Sequence, residues 1–278
     1  MSSKMNCQVG LVGYGAIGRS VADALLEGRA GNASLAAVLV RAVNKYWGCL
    51  PFSSSPPRIT FTDDADTFFD CDFDLLVEAA GHAAVRQYAR RGLEKEADVL
   101  VVSVGVFADD GFYRELWDLA EEKGRRILLA SGALPAVDWM SGASLAGDCI
   151  VSITQTKPVA SWVGTPAEDL LDLGRVSEPT CFFSGTAREA AARFVKSSNI
   201  TAMLALSTTG LDHTQVRLVA DPARCSMHTL VEFDGAAGRL RVEWEGVPSE
   251  SNPSTSADVP LSVIKAIRNL ASPVCLGV

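Results

Sequence analysis

Histidine is scarce in this chain of 278 residues: there are three, at positions 82, 213 and 228. Cysteine lacks pattern. Cys7, Cys49, Cys71, Cys149, Cys181, Cys225 and Cys275 never fall in a C-x-x-C spacing, and their number is odd. That excludes the clustered thiols of a zinc ribbon and the even framework of a disulfide-stapled secreted domain; it points to reduced thiols in a cytoplasmic protein with no bound metal. No window reaches 18 uncharged apolar residues, so no membrane span is expected. The opening "MSSKMNCQVG" has no apolar core of signal-peptide length. An excess of positive charge is missing too. Lys and Arg number 25 against 33 Asp and Glu, a net charge of −8, which argues against a nucleic-acid or anionic-membrane partner. With 48% hydrophobic and 21% charged residues the chain reads as globular. At roughly 150 residues per domain its length suggests two domains.

What is present begins with "VGLVGYGAIGRSVADALLEG", Val9 to Gly28. A short apolar run, Cys7 to Val12, precedes the glycines. After them Ile17, Val21 and Leu25 recur every four residues, one stripe of a helix. Further apolar runs follow at 33–40, 74–81, 98–105 and 126–132, the last expected as another buried strand. Helical patterns separate them at 82–96 and around Phe112, Leu116 and Leu119. Strands apolar on both faces, alternating with amphipathic helices, predict a parallel sheet covered on both sides. In that setting G-x-G-x-x-G is a dinucleotide fingerprint. Gly13 permits the tight turn, Gly15 lets a pyrophosphate approach, and Gly18 lets the helix pack closely. The helix N-terminus offers N–H groups to phosphate, so Gly13, Gly15, Ala16, Ile17 and Gly18 are the expected contacts. A purely structural strand–helix turn is the alternative.

The place where an NAD site holds an acidic residue, at the end of the second strand, reads "VLVR" and has no carboxylate. Arg41 is positioned for a 2′-phosphate, with Lys45 to help, or else is a solvated loop charge. NADP is therefore preferred as cofactor, with NAD as the alternative.

Beyond Gly132 the pattern changes. "CIVSITQT" alternates like a strand with one wet face, and "MHTLVEFDG" and "GRLRVEWEG" read as a hairpin around Gly235 and Gly238. Residues 187–210 read as helical with a break near 197–199. Pro248 to Pro260 is the strongest loop signal. In "PLSVIKAIRNLA", Val263, Ile264, Ile267 and Leu270 make one apolar face. The expected architecture is α/β: an N-terminal Rossmann domain with a doubly wound parallel sheet over 1–132, a second α+β domain with a mostly antiparallel sheet over 133–256, for substrate and dimerisation, and a helix over 257–278 returning to the first domain. The open face of the second sheet suits a homodimer.

Candidate chemistry is sparse. His228 shares a strand face with Leu230 and Glu232, away from the more apolar face. It is either a proton-transfer group, as dehydrogenases need near neutral pH, or an ordinary exposed histidine. Ala80 and His82 follow the 74–81 run, at the carboxyl end of a parallel strand where ligands bind; His82 touches cofactor or begins the next helix. His213 sits in a polar turn. Asn199 reads as a helix N-cap or as a partner of a nicotinamide carboxamide. Lys157 holds a substrate carboxylate or is solvated. "NPSTSA" offers hydroxyls and N–H groups as a carboxylate nest or a cap.

Taken together, "GLVGYGAIG", "VEAAGHAAVRQYA", "LLASGALPAVD", "TKP", "FVKSSNITAMLAL", "GLDHTQVRLVADP", "MHTLVEF", "NPSTSA" and "LSVIKAIRNL" resemble the L-aspartate dehydrogenase family, in order and spacing, over nearly the whole chain. The resemblance implies reversible NAD(P)-dependent oxidation of L-aspartate through iminosuccinate to oxaloacetate and ammonia, in the setting of NAD biosynthesis. It implies His228 as the active-site histidine, Ala133 and Asn199 as cofactor contacts near the nicotinamide, and Lys157, Thr255 and Ser256 bordering the substrate. The chain departs from the family at "GALPAVD", where relatives often have "GAIGGLD", and at "VKSSN" for "PKNAN". Rival readings are a dehydrogenase of another amino or imino acid and a non-catalytic NADP-binding regulator; the second predicts binding without turnover.

Overall fold

The computed structural model describes residues 6–46, 59–249 and 252–277. The chain divides into two compact units, 1–130 with 260–278, and 131–259.

The first unit is built on six parallel strands: β1 (Cys7–Val12), β2 (Ala33–Leu39), β3 (Thr60–Thr62), β4 (Leu75–Glu78), β5 (Asp98–Val101) and β6 (Ile127–Leu129). Their order across the sheet is β3-β2-β1-β4-β5-β6, the doubly wound order of dinucleotide-binding sheets, with a crevice where the order reverses at β1. Val9, Leu11, Val77, Val99 and Leu100 are fully buried because helices cover both faces of the inner strands. Helix α1 (Ala16–Leu26) buries Gly18, Val21, Ala22, Ala24 and Leu25, the predicted stripe shifted slightly round from Ile17. Helices α2 (Ala65–Phe69), α3 (His82–Glu94) and α4 (Asp110–Lys123) follow in turn. Residues 126–132 are not a buried strand as expected. β6 is three residues long and half-exposed throughout, because it forms the sheet's edge and has a neighbour on one side only. The pair β3–α2 gives no strong sequence signal: three strand residues and five helical ones are too short for periodicity. The side chain of Asp64 caps α2 by accepting from Thr67 N at 3.0 Å.

The C-terminal helix, α8 (Val259–Leu270) in the count that follows, buries Pro260, Val263, Ile264 and Ile267. It joins the first unit, where Asn32 N donates to Ala271 O at 3.1 Å.

The second unit carries α5 (Val137–Ser144), β7 (Cys149–Pro158), β8 (Thr180–Thr186), α6 (Ala187–Arg193), α7 (Asn199–Leu206), β9 (Gln215–Asp221), β10 (Met227–Gly235), β11 (Gly238–Gly246), β12 (Pro248–Ser249) and β13 (Asn252–Ser256). The five-stranded sheet runs β11-β10-β7-β9-β8. Only β7 and β9 pair in parallel, so the sheet is mostly antiparallel. Helices α5, α6 and α7 cover one face. Val151, Ile153, Gln155, Thr229, Val231 and Phe233 point into it, and Trp139 meets Phe233 edge-on at 5.3 Å. The other face carries Ile150, Thr154, His228, Leu230 and Glu232. One expectation is corrected here. Residues 248–260 are not all loop: β12 and β13 pair. Strand β8, for which no element was expected, pairs on one side only, at the sheet's edge.

Among the described residues no helix is long and apolar enough to cross a membrane.

Candidate active site

In the first unit the glycine turn fits a dinucleotide. Gly13 has φ +98°, and a side-chain carbon there would lie 2.6 Å from Ala79 O. One on Gly18 would strike Gly13 O at 2.0 Å, so α1 packs as closely as the fold allows. At Gly15, among the described residues, no atom beyond its chain neighbours lies within 4 Å of that position. This is the open approach a pyrophosphate needs, beside the amides that begin α1 at Ala16, Ile17 and Gly18. No acidic residue occupies the first turn to repel it. Tyr14, inside the motif, turns inward instead: its ring packs edge-on against Tyr46 at 5.5 Å and Phe61 at 5.4 Å. Burial raises its phenol pKa. Arg41 and Lys45 are exposed just beyond β2. The nearby carboxylate of Asp63 accepts from Val43 N at 3.0 Å, so an acidic group does stand beside this loop, supplied from the end of β3.

The least anticipated group is Glu78, the last residue of β4, which is 2% exposed. Its Oε1 accepts from Ala80 N and Gly81 N, both at 2.7 Å, and from Ser103 Oγ at 3.0 Å. Its Oε2 accepts from Val102 N at 3.3 Å and Ser103 N at 3.0 Å. One buried carboxylate therefore ties together the loops at the carboxyl ends of β4 and β5, where a parallel sheet presents its ligand. Ala80 is exposed and His82 opens α3, both on the loop Glu78 shapes. Its signal in the sequence is a single charge closing the apolar run "LLVE". Glu78→Gln puts an NH2 group against N–H donors. It is expected to cost roughly 2–4 kcal/mol of stability, read by urea denaturation, and to raise the cofactor KM.

In the second unit several expected residues converge on one end of the sheet. Lys157 lies near the carboxyl end of β7. His228 lies at the start of β10, paired with Thr156 and with Glu245 of β11. Gly246 closes β11, and a side-chain carbon built on it would lie 2.9 Å from Ser256 Oγ. Of Thr255 the backbone lies in β13; its side chain is outside the described part. Lys157 and His228 leave opposite faces of the sheet, as alternation along paired strands requires. Lys157 Nζ donates to Ser197 Oγ at 2.8 Å and sits 4.9 Å over the ring of Trp162. Burial pushes its ammonium pKa down to about 8. Gln155, on the same face, donates to Thr201 Oγ1 at 2.8 Å and to Ser197 O at 3.1 Å. Ser197 also lines a cavity of about 210 Å³ walled by Trp162, Pro166, Phe194 and Val195, with Arg193 at its margin. Gln155, Ser197 and Trp162 were not singled out in the sequence. An amide in an inward slot of the alternating run "CIVSITQT" is the signal that marks the first.

Asn199 is not the N-cap of α7. Ser198 takes that position, and Asn199 is the first helical residue. The "SGALPA" loop lies beside it: a side-chain carbon on Gly132 would stand 3.8 Å from Ile200 Cγ2, and Ala133 is buried. In that loop Ala136 adopts φ +56°, a left-handed conformation rare for alanine. Gly132 and Ile200, the chain neighbours of Ala133 and Asn199, thus come together beside the helix start that follows Ser197. His213 is exposed in the turn before β9.

Comparison with known proteins bears on both units. Residues 13–130 match the family described as homoserine dehydrogenase, NAD binding domain, and residues 138–270 match aspartate dehydrogenase, C-terminal. The chain is 37% identical over 268 residues to an L-aspartate dehydrogenase of Cupriavidus taiwanensis, covering 96% of this chain and 99% of that protein. It is 41% identical over 203 residues to one from Pseudomonas aeruginosa, covering 73% and 76%. The fold is that of an aspartate dehydrogenase from Thermotoga maritima, with TM-score 0.72 at 22% identity over 98% and 99% of the two chains. The fold and these likenesses define an NAD(P)-dependent oxidoreductase acting on a CH–NH2 group, with a pyridine-nucleotide-binding domain. Within that class the chain belongs to the L-aspartate dehydrogenase family.

Proposed function

We propose that the enzyme catalyses the reversible oxidative deamination of L-aspartate through iminosuccinate to oxaloacetate and ammonia. The observation that carries the reading is the match to a named L-aspartate dehydrogenase over 96% of the chain, with Lys157, His228 and Ser256 all at one end of the second sheet, Lys157 and His228 on its opposite faces. Lys157 holds a substrate carboxylate as a charge-assisted partner. His228 takes the proton from the substrate amine, which must be neutral before the α-carbon can lose hydride. Ser256 and Thr255 border the substrate. Ala133 and Asn199 orient the nicotinamide, while Gly13, Gly15, Ala16, Ile17 and Gly18 hold the pyrophosphate, with Ala80 and His82 beside them. The bound nicotinamide supplies the hydride acceptor.

NADP is the preferred cofactor in this reading. Arg41 and Lys45 stand exposed beyond β2, where no carboxylate of that strand competes for the ribose. Initial rates with NADP⁺ and NAD⁺ at equal enzyme and saturating L-aspartate test both parts. Faster turnover with NADP⁺, and a drop of about ten- to a hundredfold in kcat/KM for NADP⁺ alone in Arg41→Asp, support the assignment. Faster turnover with NAD⁺ keeps the reaction and discards the role of Arg41. No turnover of L-aspartate with either cofactor discards the reaction.

A homodimer formed through the open sheet face belongs to the same reading; the exposed Ile150 on that face supports it.

A further inference from the structure

Arg19 stands in the first turn of α1 beyond the glycine motif, where its backbone N–H donates to Gly15 O at 2.9 Å. The residue is exposed, and among the described residues no carboxylate pairs with its guanidinium. What the guanidinium does meet is a ring. Its central carbon lies 5.4 Å from the centre of the Tyr14 ring. Tyr14 is 3% exposed, so that ring is a fixed support. It belongs to a closed triangle in which Tyr14, Tyr46 and Phe61 all meet edge-on, at 5.4 to 5.5 Å.

The triangle fixes the direction in which this cation leans. Tyr46 closes the short turn Val43–Tyr46 that follows β2, and Lys45 immediately precedes it. Phe61 lies in β3 and pairs with Val38 of β2. Gly13 N donates to Leu39 O at 2.8 Å, and Val40 N donates to Thr62 O at 3.0 Å. The glycine turn, the end of β2 and the end of β3 are therefore bonded side by side. The guanidinium of Arg19 and the loop that carries Arg41 and Lys45 share one support, the Tyr14 ring.

A ring against the face of a guanidinium leaves its in-plane N–H donors free. Those are the donors that fork onto phosphate oxygens. A phosphate monoester carries about −1.5 to −2 charges near neutral pH, more than one exposed arginine neutralises. Asp63 adds a negative charge beside the same loop, which raises the need for a second cation. We infer that Arg19 is that cation: a specificity-determining residue that reaches a cofactor 2′-phosphate from α1, while Arg41 and Lys45 approach it from the loop after β2. Tyr14 is the positioning residue that aims it. The pyrophosphate is left to the amides that open α1. This inference rests on the proposed preference for NADP and adds a residue from a different element, which the loop after β2 does not reveal.

Adenosine 2′,5′-bisphosphate and adenosine 5′-monophosphate differ only in the 2′-phosphate, so titration calorimetry of the full-length enzyme with each isolates this contact without turnover. The wild type should bind the bisphosphate more tightly. Arg19→Ala should weaken the bisphosphate by about tenfold and the monophosphate by less than about twofold. Arg19→Lys keeps the charge but not the fork and should fall between the wild type and Arg19→Ala. The melting temperature without nucleotide should hold, since the residue is exposed and has no ion pair to lose. Equal weakening of both nucleotides in Arg19→Ala would overturn the inference, because a role in the helix or its turn does not distinguish them. So would a wild-type preference for the bisphosphate that Arg41→Asp removes and Arg19→Ala leaves intact; the NADP preference would then stand without Arg19. If the wild type binds the two nucleotides equally, the NADP preference falls and the role of Arg19 falls with it.

Discussion

Replacing His228 by alanine is expected to lower the turnover of L-aspartate by about 10²- to 10⁴-fold, the usual worth of a positioned proton acceptor. The side chain is half-buried on the open sheet face, between Thr156 and Glu245 in the register. Near it, the Glu243 carboxyl is held below its ordinary value chiefly by its bond to Arg241, with the His228 charge adding to the effect. Glu245 is in turn engaged by Arg224. Carboxylates thus line this side, and each has an arginine partner. The affinity for NAD(P)H should change by no more than about twofold, because the phosphate cradle is made by residues 13–18. Stopped-flow single turnover and cofactor fluorescence titration separate the two. A variant that loses melting temperature but keeps its single-turnover rate would show His228 to be an ordinary strand residue. His228→Gln, which retains a polar side chain but cannot take up a proton near neutral pH, should be as slow as the alanine variant.

Much of this was legible because the physics is local. Runs apolar on both faces announce a covered parallel sheet, and glycine is required at position 18, where a side-chain carbon would lie 2.0 Å from Gly13 O. The alternation in "MHTLVEFDG" already placed His228 opposite Thr229. The edges were less legible: β6 was expected as a strand but as a buried one, and β8 was not expected; each has one neighbour, so neither is covered as an inner strand is. The site was harder. His228 was visible as a rare residue, Lys157 as a lysine that holds a carboxylate or is solvated, and Glu78 was not singled out. Its meaning comes from Ser103, 25 residues on, whose N–H and hydroxyl both reach its carboxylate.

Replacing Lys157 by methionine, of similar length and no charge, is expected to raise the KM for oxaloacetate by about ten- to a hundredfold at pH 7, the range for losing one charge-assisted bond. The wild type should show why. In the empty protein burial lowers the lysine pKa from 10.5 to about 8. The folded state therefore binds fewer protons than the unfolded one between those values, and this group lets stability rise with pH across that window. Carboxylate binding has the opposite demand, since it needs the ammonium form. With ammonia saturating, kcat/KM for oxaloacetate should bend downward near pH 8 and fall by roughly tenfold per unit above it. Lys157→Arg keeps its charge through the whole range and should remove the bend, though its planar head replaces a compact one and the absolute KM will differ. Lys157→Met should be high in KM and flat. A wild-type profile flat from pH 7 to 9.5 on this scale would remove Lys157 from carboxylate binding. A different failure would be more informative still. If Lys157→Arg keeps its KM but loses kcat in the direction of L-aspartate oxidation, the neutral amine is the form that works. The proton-accepting role would then pass from His228 on the open face to Lys157 on the covered one.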